Sequence, residues 1–211
     1  FNCTDSKPNK TTAAVVSCLG AEQLGHEAIR RLRAKQVDTQ FLQLHEQLST
    51  GMVIATIDDA GDATYEFDTP AAWDGLVLTE DLQNTIRQAD VTVIGSLACR
   101  LGTEATSAAT IAAIREIAAK DTLVMDINLR PPWYDPETIL ALCRGGSCSR
   151  NAAHPLALFK LNEEELPIVE SWCNLDGSKT RGELSGERLK RRMVALGRAV
   201  NARRVCVTRG A

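Results

Sequence analysis

The sequence predicts an α/β protein built around a parallel β-sheet, and three observations lead to this prediction. Short apolar runs, too brief for helices, recur along the chain and end abruptly in polar or glycine residues, which is typical of buried parallel strands. Stretches with apolar residues at helical spacing alternate with these runs. One patch, between residues 37 and 67, breaks the alternation with β-branched and turn-forming residues. The prediction is an α/β core that carries a small β insertion.

Composition narrows the class of protein further. A chain of 211 residues can form one sizeable core, and 24 basic against 27 acidic side chains give a net charge of -3. This charge and the 4% of aromatic residues argue against a nucleic-acid partner. No apolar run approaches a membrane span and no signal-peptide pattern is present, so we expect a cytoplasmic protein with no membrane partner. Seven scattered cysteines without a CxxC pair predict free thiols rather than a zinc site.

The first strand, turn and helix are predicted over residues 13–34. The apolar run at 13–19 ends in Gly20, and Gly25 follows just before an apolar stripe at helical spacing. Glycine allows the backbone to approach a ligand closely, but it also simply permits a turn, and the sequence leaves both open. The stretch GAEQLG is not a dinucleotide fingerprint, which argues against a Rossmann-type NAD enzyme.

The patch at 37–67 predicts antiparallel hairpins. A short strand at 41–44 is followed by MVIATI at 52–57, a DDAGD turn at 58–62 and the alternating stretch ATYEF at 63–67. We interpret this patch as a flap over a site at the strand ends. The alternative is an extra sheet edge with no role.

The α/β alternation resumes after this patch. A strand at 91–96 and an amphipathic helix at 105–120 lead into a strand at 123–125, which implies a right-handed parallel crossover. Asp135 and Pro136 open a further predicted helix, which runs through Leu142. The remaining predicted elements are strands at 156–161 and 204–208 and helices at 82–88 and 188–200.

Polar residues directly after the strand at 123–125 form the first candidate site. Asp126, Asn128 and Arg130 occupy alternate positions, so an extended backbone would point them to one side. Two prolines then hold the segment in a loop. Since ligands bind at the carboxyl ends of strands in open α/β sheets, the segment is a candidate wall of a site. The alternative is a solvated pair of Asp126 and Arg130.

The strand at 156–161 is followed by a second polar group, which includes Asn162 and Glu165. A carboxylate there can hold Mg²⁺ through water, and an amide can meet phosphate oxygens. The alternative is a helix amino terminus, where Asn caps and Glu favours the helix dipole. Both interpretations can hold together.

Seven stretches, ordered and spaced as in one family, give the chain its resemblance to the ribokinase-like, or PfkB, carbohydrate kinases, most closely to fructokinase-like members. They are GAEQLG at 20–25, TGMVIATIDDAGDATYEF at 50–67, PAAWD at 70–74, IGSLACR at 94–100, DINLRPPWY at 126–134, FKLNEEEL at 159–166 and VTRGA at 207–211.

The resemblance implies a three-layer α/β/α ribokinase-like sandwich with a small β-sheet lid, here incomplete. The core would comprise residues 1–37 and 69–211, and the lid residues 38–68. It also implies ATP and Mg²⁺ as cofactors, phosphoryl transfer from ATP to a sugar hydroxyl, and a possible homodimer formed through the lid.

The resemblance also assigns roles to individual residues. It implies that the substrate is bound by Asp126, Asn128, Arg130 and Gly20. It further implies that the nucleotide is bound by Asn162, Thr208 and Gly210, and the metal ion by Glu165.

The chain departs from the family pattern in several places. Glu22 stands where the family usually has Asp, and the Gly-Gly substrate motif is not visible. The GAGD stretch, whose Asp is the family's catalytic base, is also absent. From these departures we expect a chain that is truncated at both ends. We also expect that it contains no catalytic residue and does not phosphorylate a sugar.

Several functions remain open at this point. A fructose-type hexose is the favoured acceptor, with ribose, 2-keto-3-deoxygluconate or a nucleoside as alternatives. From a different functional class, a non-catalytic family member that binds sugar or nucleotide and acts in regulation is the second hypothesis.

Overall fold

The structure is a computed structural model that describes residues 12–57, 63–100, 113–118, 122–145, 154–175 and 186–209. It divides into two compact units, Phe1–Val77 and Leu78–Ala211. Within the described ranges, every helix is too short or too polar to cross a lipid bilayer.

The amino-terminal unit contains two separate two-stranded sheets. In the first, β1 and β2 pair in parallel and helix α1 connects them; in the second, β3 and β4 pair antiparallel. The bounds are β1 Ser17–Gly20, α1 Gln23–Ala34, β2 Leu42–His45, β3 Val53–Ile57 and β4 Ala63–Phe67.

The prediction of antiparallel hairpins over 37–67 is correct for β3 and β4 and wrong for β2. Val53 lies opposite Phe67 in an antiparallel pair, whereas Leu42 of β2 lies opposite Ser17 in a parallel one. The reason is that α1 returns the chain alongside β1, as a crossover between parallel strands must. The predicted strand at 13–19 is also shorter than expected, because before β1 only Ala14 forms a described bridge, to Asp38.

A short 3-10 helix, Ala72–Gly75, packs on β1 and β2. Its start is fixed by Asp74, whose carboxylate accepts a hydrogen bond of 3.1 Å from the backbone N–H of Ala71. Trp73 of this helix lies against Gly51, where any side chain would overlap the indole ring. The glycine of the TGM stretch is therefore required by packing.

The carboxyl-terminal unit is built on a four-stranded parallel sheet of order β5-β6-β7-β8. The strands are β5 Thr92–Gly95, β6 Leu123–Asp126, β7 Leu158–Asn162 and β8 Val205–Thr208, and a 3-10 helix, Ser96–Arg100, follows β5. The helices are α2 Glu80–Gln88, α3 with residues 113–117, α4 Pro136–Arg144, α5 Glu165–Trp172 and α6 Gly186–Ala199.

These elements confirm the strands and helices predicted after residue 80 where the structure describes them. Of the helix predicted at 105–120, only 113–118 are described, and the turn predicted at 58–62 lies outside the described residues. The core of this unit lies between the sheet and helices α4, α5 and α6. Its fully buried side chains include Phe159, Leu161, Leu166, Val169 and Leu196.

An ion pair in this unit joins α5 to α6. The guanidinium of Arg192 donates hydrogen bonds of 2.8 and 2.6 Å to the two carboxylate oxygens of Glu170. Only 1% of the Glu170 side chain and 11% of the Arg192 side chain are exposed. A buried carboxylate is tolerated because a bidentate partner satisfies both of its oxygens.

Helix α4 begins as the sequence predicts. Asp135 is its N-cap, and its carboxylate accepts a hydrogen bond of 2.7 Å from the backbone N–H of Thr138, while Pro136 occupies the first turn. Hydrogen bonding from Thr138 lowers the pKa of the Asp135 carboxyl below its ordinary value.

We expect Asp135→Ala to lower the free energy of unfolding by about 1 kcal/mol at pH 7, and Asp135→Asn, which can still cap, to lower it by much less. Because the folded-state pKa is depressed, the extra stability is present above pH ~4 and is lost as the pH falls through the folded pKa. Urea unfolding of the three proteins at pH 7 and pH 3 measures this, and equal losses for both variants at pH 7 would contradict the capping role.

Candidate functional site

The carboxyl ends of the four parallel strands meet at one edge of the sheet, which is where open α/β sheets bind ligands. Gly95 lies opposite Asp126, Asp126 lies opposite Lys160, and Asn162 lies opposite Thr208. Segments separated by more than thirty positions in the sequence are therefore neighbours at this edge, which we call the polar rim.

The segment after β6 keeps the predicted alternation but not the predicted extended backbone. Ile127 and Leu129 are buried, and Asn128 between them is exposed. The backbone N–H of Ile127 still donates to the carbonyl of Lys160 at 2.9 Å, and then Asn128 adopts a φ of 37° and the chain leaves the sheet. Asn tolerates this left-handed region better than most residues. The turn places Asn128 at the polar rim.

Two further hydrogen bonds are made to the carbonyl groups of this turn. The hydroxyl of the buried Ser96, at the end of β5, donates to the carbonyl of Asn128 at 3.4 Å. The guanidinium of Arg130 donates to the carbonyl of Leu129 at 3.0 Å. Asp126 and the turn at Asn128 thus lie at the polar rim, but the extended backbone that was expected to group Asp126, Asn128 and Arg130 on one side ends at Asn128. Their grouping around a ligand stays a prediction.

Lys160 is a rim residue that the sequence reasoning missed. Its ammonium lies 3.0 Å from each carboxylate oxygen of Asp126 on the neighbouring strand. The Lys160 and Asp126 side chains are 37% and 32% exposed, so the pair adds little to stability but fixes where both charges lie. The available signal was its position two residues before Asn162, on the same side of β7.

Asn162 caps helix α5. Its side-chain oxygen accepts hydrogen bonds from the backbone N–H groups of Glu164 and Glu165 at 2.9 and 2.8 Å. The interpretation of this residue as a helix cap is thus confirmed. Its predicted contact with a nucleotide stays a prediction, and the side-chain NH₂ group would make that contact.

Glu165 lies beneath the rim with 6% of its surface exposed. One carboxylate oxygen accepts a hydrogen bond of 2.7 Å from the backbone N–H of Leu129, and the other accepts one of 2.8 Å from that of Asn162. Direct coordination of Mg²⁺ would compete with both donors. Among the described residues, no group of three His, Cys, Asp or Glu side chains is placed to hold a metal ion. The buried carboxylate is thus occupied by backbone donors, and its predicted contact with Mg²⁺ through water stays a prediction.

The last strand end is joined to the previous one through Thr208. Its carbonyl accepts a hydrogen bond of 3.0 Å from the N–H of Glu163, and its hydroxyl donates to the carbonyl of Leu161 at 3.4 Å. Arg209 lies 3.6 Å from the Glu163 carboxylate. Gly210, the other predicted nucleotide contact here, lies outside the described residues.

Gly20, the remaining predicted substrate residue, ends β1 in the amino-terminal unit. Its N–H donates to the buried hydroxyl of Thr50 at 2.9 Å, and the N–H of Thr50 donates to the Glu22 carboxylate at 3.0 Å. Hydrogen bonding with Thr50 lowers the pKa of the exposed Glu22 carboxyl. A side chain at Gly20 would overlap this carboxylate. Close packing against Glu22 and Thr50 is therefore sufficient to explain the glycine.

Comparison with known proteins agrees with the motifs at the polar rim. The profile of the pfkB family carbohydrate kinases matches residues 10–210. The chain belongs to this family. It is 30% identical, over 158 residues, to a fructokinase of Salmonella typhimurium. The alignment covers 74% of this chain and 48% of that relative. The chain thus spans about half the length of this relative.

Solved structures confirm the α/β ribokinase-like fold. A fructokinase from Xylella fastidiosa superimposes with a TM-score of 0.67 at 15% identity, covering 96% of this chain and 57% of that one. A PfkB protein from Polaromonas sp. JS666 superimposes with a TM-score of 0.66 at 17% identity, covering 95% and 61%.

Proposed function

We propose that this chain forms the substrate-binding part of a carbohydrate kinase that transfers the γ-phosphoryl group of ATP to a sugar hydroxyl, with a fructose-type hexose as the favoured acceptor. The observation that carries the proposal is the polar rim, where DxNxR, NxxE and the Thr208 strand end are neighbours in a chain of the pfkB family. The Salmonella fructokinase supports the choice of sugar. A Xylella fastidiosa fructokinase solved with bound ATP supports the choice of nucleotide.

The chemistry of the polar rim suits phosphoryl transfer. This reaction needs positioning and neutralisation of charge far more than covalent participation by the protein. We assign Asp126, Asn128 and Arg130 to the sugar and Asn162 and Thr208 to the nucleotide. Lys160 is the cation that can face the transferred phosphoryl group. Before a ligand binds, the ion pair with Asp126 keeps the Lys160 ammonium at the polar rim.

A second candidate function is binding without catalysis. A family member that binds nucleotide and sugar at the polar rim without transferring the phosphoryl group would serve a regulatory role.

We expect the 211-residue polypeptide to bind ATP and to form no sugar phosphate, because the GAGD stretch that carries the family's catalytic base does not occur among these residues. Isothermal titration with ATP and a coupled assay with fructose, ribose and 2-keto-3-deoxygluconate measure the two halves of this expectation. Turnover at a typical kinase rate of roughly 1–100 s⁻¹ would contradict it. Absence of ATP binding would contradict the proposed function itself.

We expect Asp126→Asn to weaken sugar binding by about 10- to 100-fold, because a charge-assisted hydrogen bond is worth roughly 1.5–3 kcal/mol. The matched control is Asp90→Asn, an exposed carboxylate that precedes β5 and so lies at the opposite edge of the sheet. Titration of both variants with fructose measures the effect, and equal affinities would remove Asp126 from the sugar site.

We propose that residues 38–68, the predicted lid, contribute their β3–β4 hairpin to a homodimer. One face of this hairpin carries the paired positions Val53 with Phe67 and Ala55 with Tyr65, followed by Ile57. Ile57 is 70% exposed and Val53 47% exposed. A two-stranded sheet is only marginally stable alone, so such an apolar face needs a cover.

We expect Ile57→Lys to convert a dimer to a monomer, because it places a charge in an apolar contact. Thr56→Lys, on the opposite face, is the control and should leave the dimer intact. Light scattering after gel filtration measures the mass of each protein, and an unmodified chain that is monomeric at high concentration would rule out the dimer.

A further inference from the structure

We propose that Glu165 is a positioning residue that holds the backbone turn 127–130 in the shape that presents Asn128 and Arg130 to the sugar. This role differs from the metal contact that the family resemblance implies for the same residue. The inference rests on the proposed function for the identity of the ligand, and on the contacts of Glu165 for everything else.

The contacts of Glu165 join two strand ends. Its carboxylate receives the N–H of Leu129 at 2.7 Å and the N–H of Asn162 at 2.8 Å. These lengths are typical of charge-assisted hydrogen bonds, which are roughly twice as strong as neutral ones. Leu129 is 36 positions from Glu165 in the sequence. The carboxylate therefore connects the segment after β6 to the end of β7.

The turn at 127–130 depends on this connection. The sheet ladder ends at Ile127, whose N–H is the last of this segment to pair with β7. Leu129 is buried, so its N–H needs a partner within the protein. Asn128 between them has a φ of 37°, a conformation that Asn adopts more readily than most residues and that hydrogen bonds on either side stabilise further. The carboxylate of Glu165 supplies that fixed partner.

The same contacts, together with the burial of the carboxylate, argue against direct coordination of a metal ion by Glu165. Mg²⁺ demands close, near-octahedral oxygen ligands at about 2.0–2.1 Å, and each Glu165 oxygen already faces a backbone donor. With 6% exposure, the carboxylate lies below the rim rather than at its surface. A residue in this position acts on the sugar through the backbone that it holds.

The substitution Glu165→Gln tests the proposal with minimal change in shape. A glutamine side chain offers one acceptor oxygen and one NH₂ donor, so one of the two backbone N–H groups must lose its partner. Glu164→Gln is the matched control, since it removes the same charge from the adjacent, exposed position. Both variants are studied as the full 211-residue chain, at a temperature where circular dichroism shows them folded.

Three measurements are made on each protein. Amide ¹H–¹⁵N spectra report on Leu129 and Asn162, sugar and ATP affinities are obtained by titration, and ATP binding is repeated over a series of Mg²⁺ concentrations. In Glu165→Gln we expect an upfield shift of one or both amide protons and a sugar affinity lower by roughly 10- to 100-fold. We expect the ATP affinity and its Mg²⁺ dependence to be unchanged, and Glu164→Gln to behave as the unmodified chain.

The proposal is overturned if Glu165→Gln leaves both amide protons in place and instead raises the Mg²⁺ concentration needed for ATP binding by roughly 10-fold or more. Equal losses of sugar and ATP affinity would also overturn it, because they would indicate a general structural defect. An unmodified chain that binds neither ligand would refute the proposed function, and the amide spectra would then decide the role of Glu165 alone.

Discussion

The parallel pairing of β6, β7 and β8 is the constraint on which the rest of the candidate site depends. Asp126 contacts Lys160, Glu165 contacts Leu129, and Glu163 contacts Thr208 only because these three strands end at the same level. The buried side chains of β7, the strand between the other two, hold that level by packing against the helices. A shift of one residue in this register would turn each polar side chain to the other face of the sheet.

Much of the fold follows from local signals in the sequence. The apolar runs that became β5, β6, β7 and β8 are short, β-branched or leucine-rich, and bounded by polar residues, so that their state is fixed without knowledge of their partners. The start of α4 is equally local, since Asp135 and Pro136 supply the cap and the first turn themselves. The position of Asp126 at the carboxyl edge of the sheet follows from the period of a strand and the direction of a parallel sheet.

The features that could not be predicted all depend on contacts between distant residues. The parallel partner of β2 is decided by α1 and β1, and nothing in the run Leu42–His45 indicates it. The contact of Glu165 with the N–H of Leu129, next to the left-handed turn at Asn128, joins groups 36 positions apart. Lys160 carries no motif of its own, and its pairing with Asp126 appears only once β6 and β7 are neighbours.

Two of the ion pairs of the carboxyl-terminal unit, Glu170–Arg192 and Asp126–Lys160, differ in their access to solvent, and this has a consequence for work at high ionic strength. Dissolved salt screens charges that water can reach and has much less effect on buried ones. Glu170 and Arg192 are enclosed, so the packing of α5 against α6 should tolerate concentrated salt. Asp126 and Lys160 are about one-third exposed, so counterions can compete for both charges. At high salt concentration the Asp126–Lys160 pair of the polar rim would thus weaken, while helices α5 and α6 stay packed together.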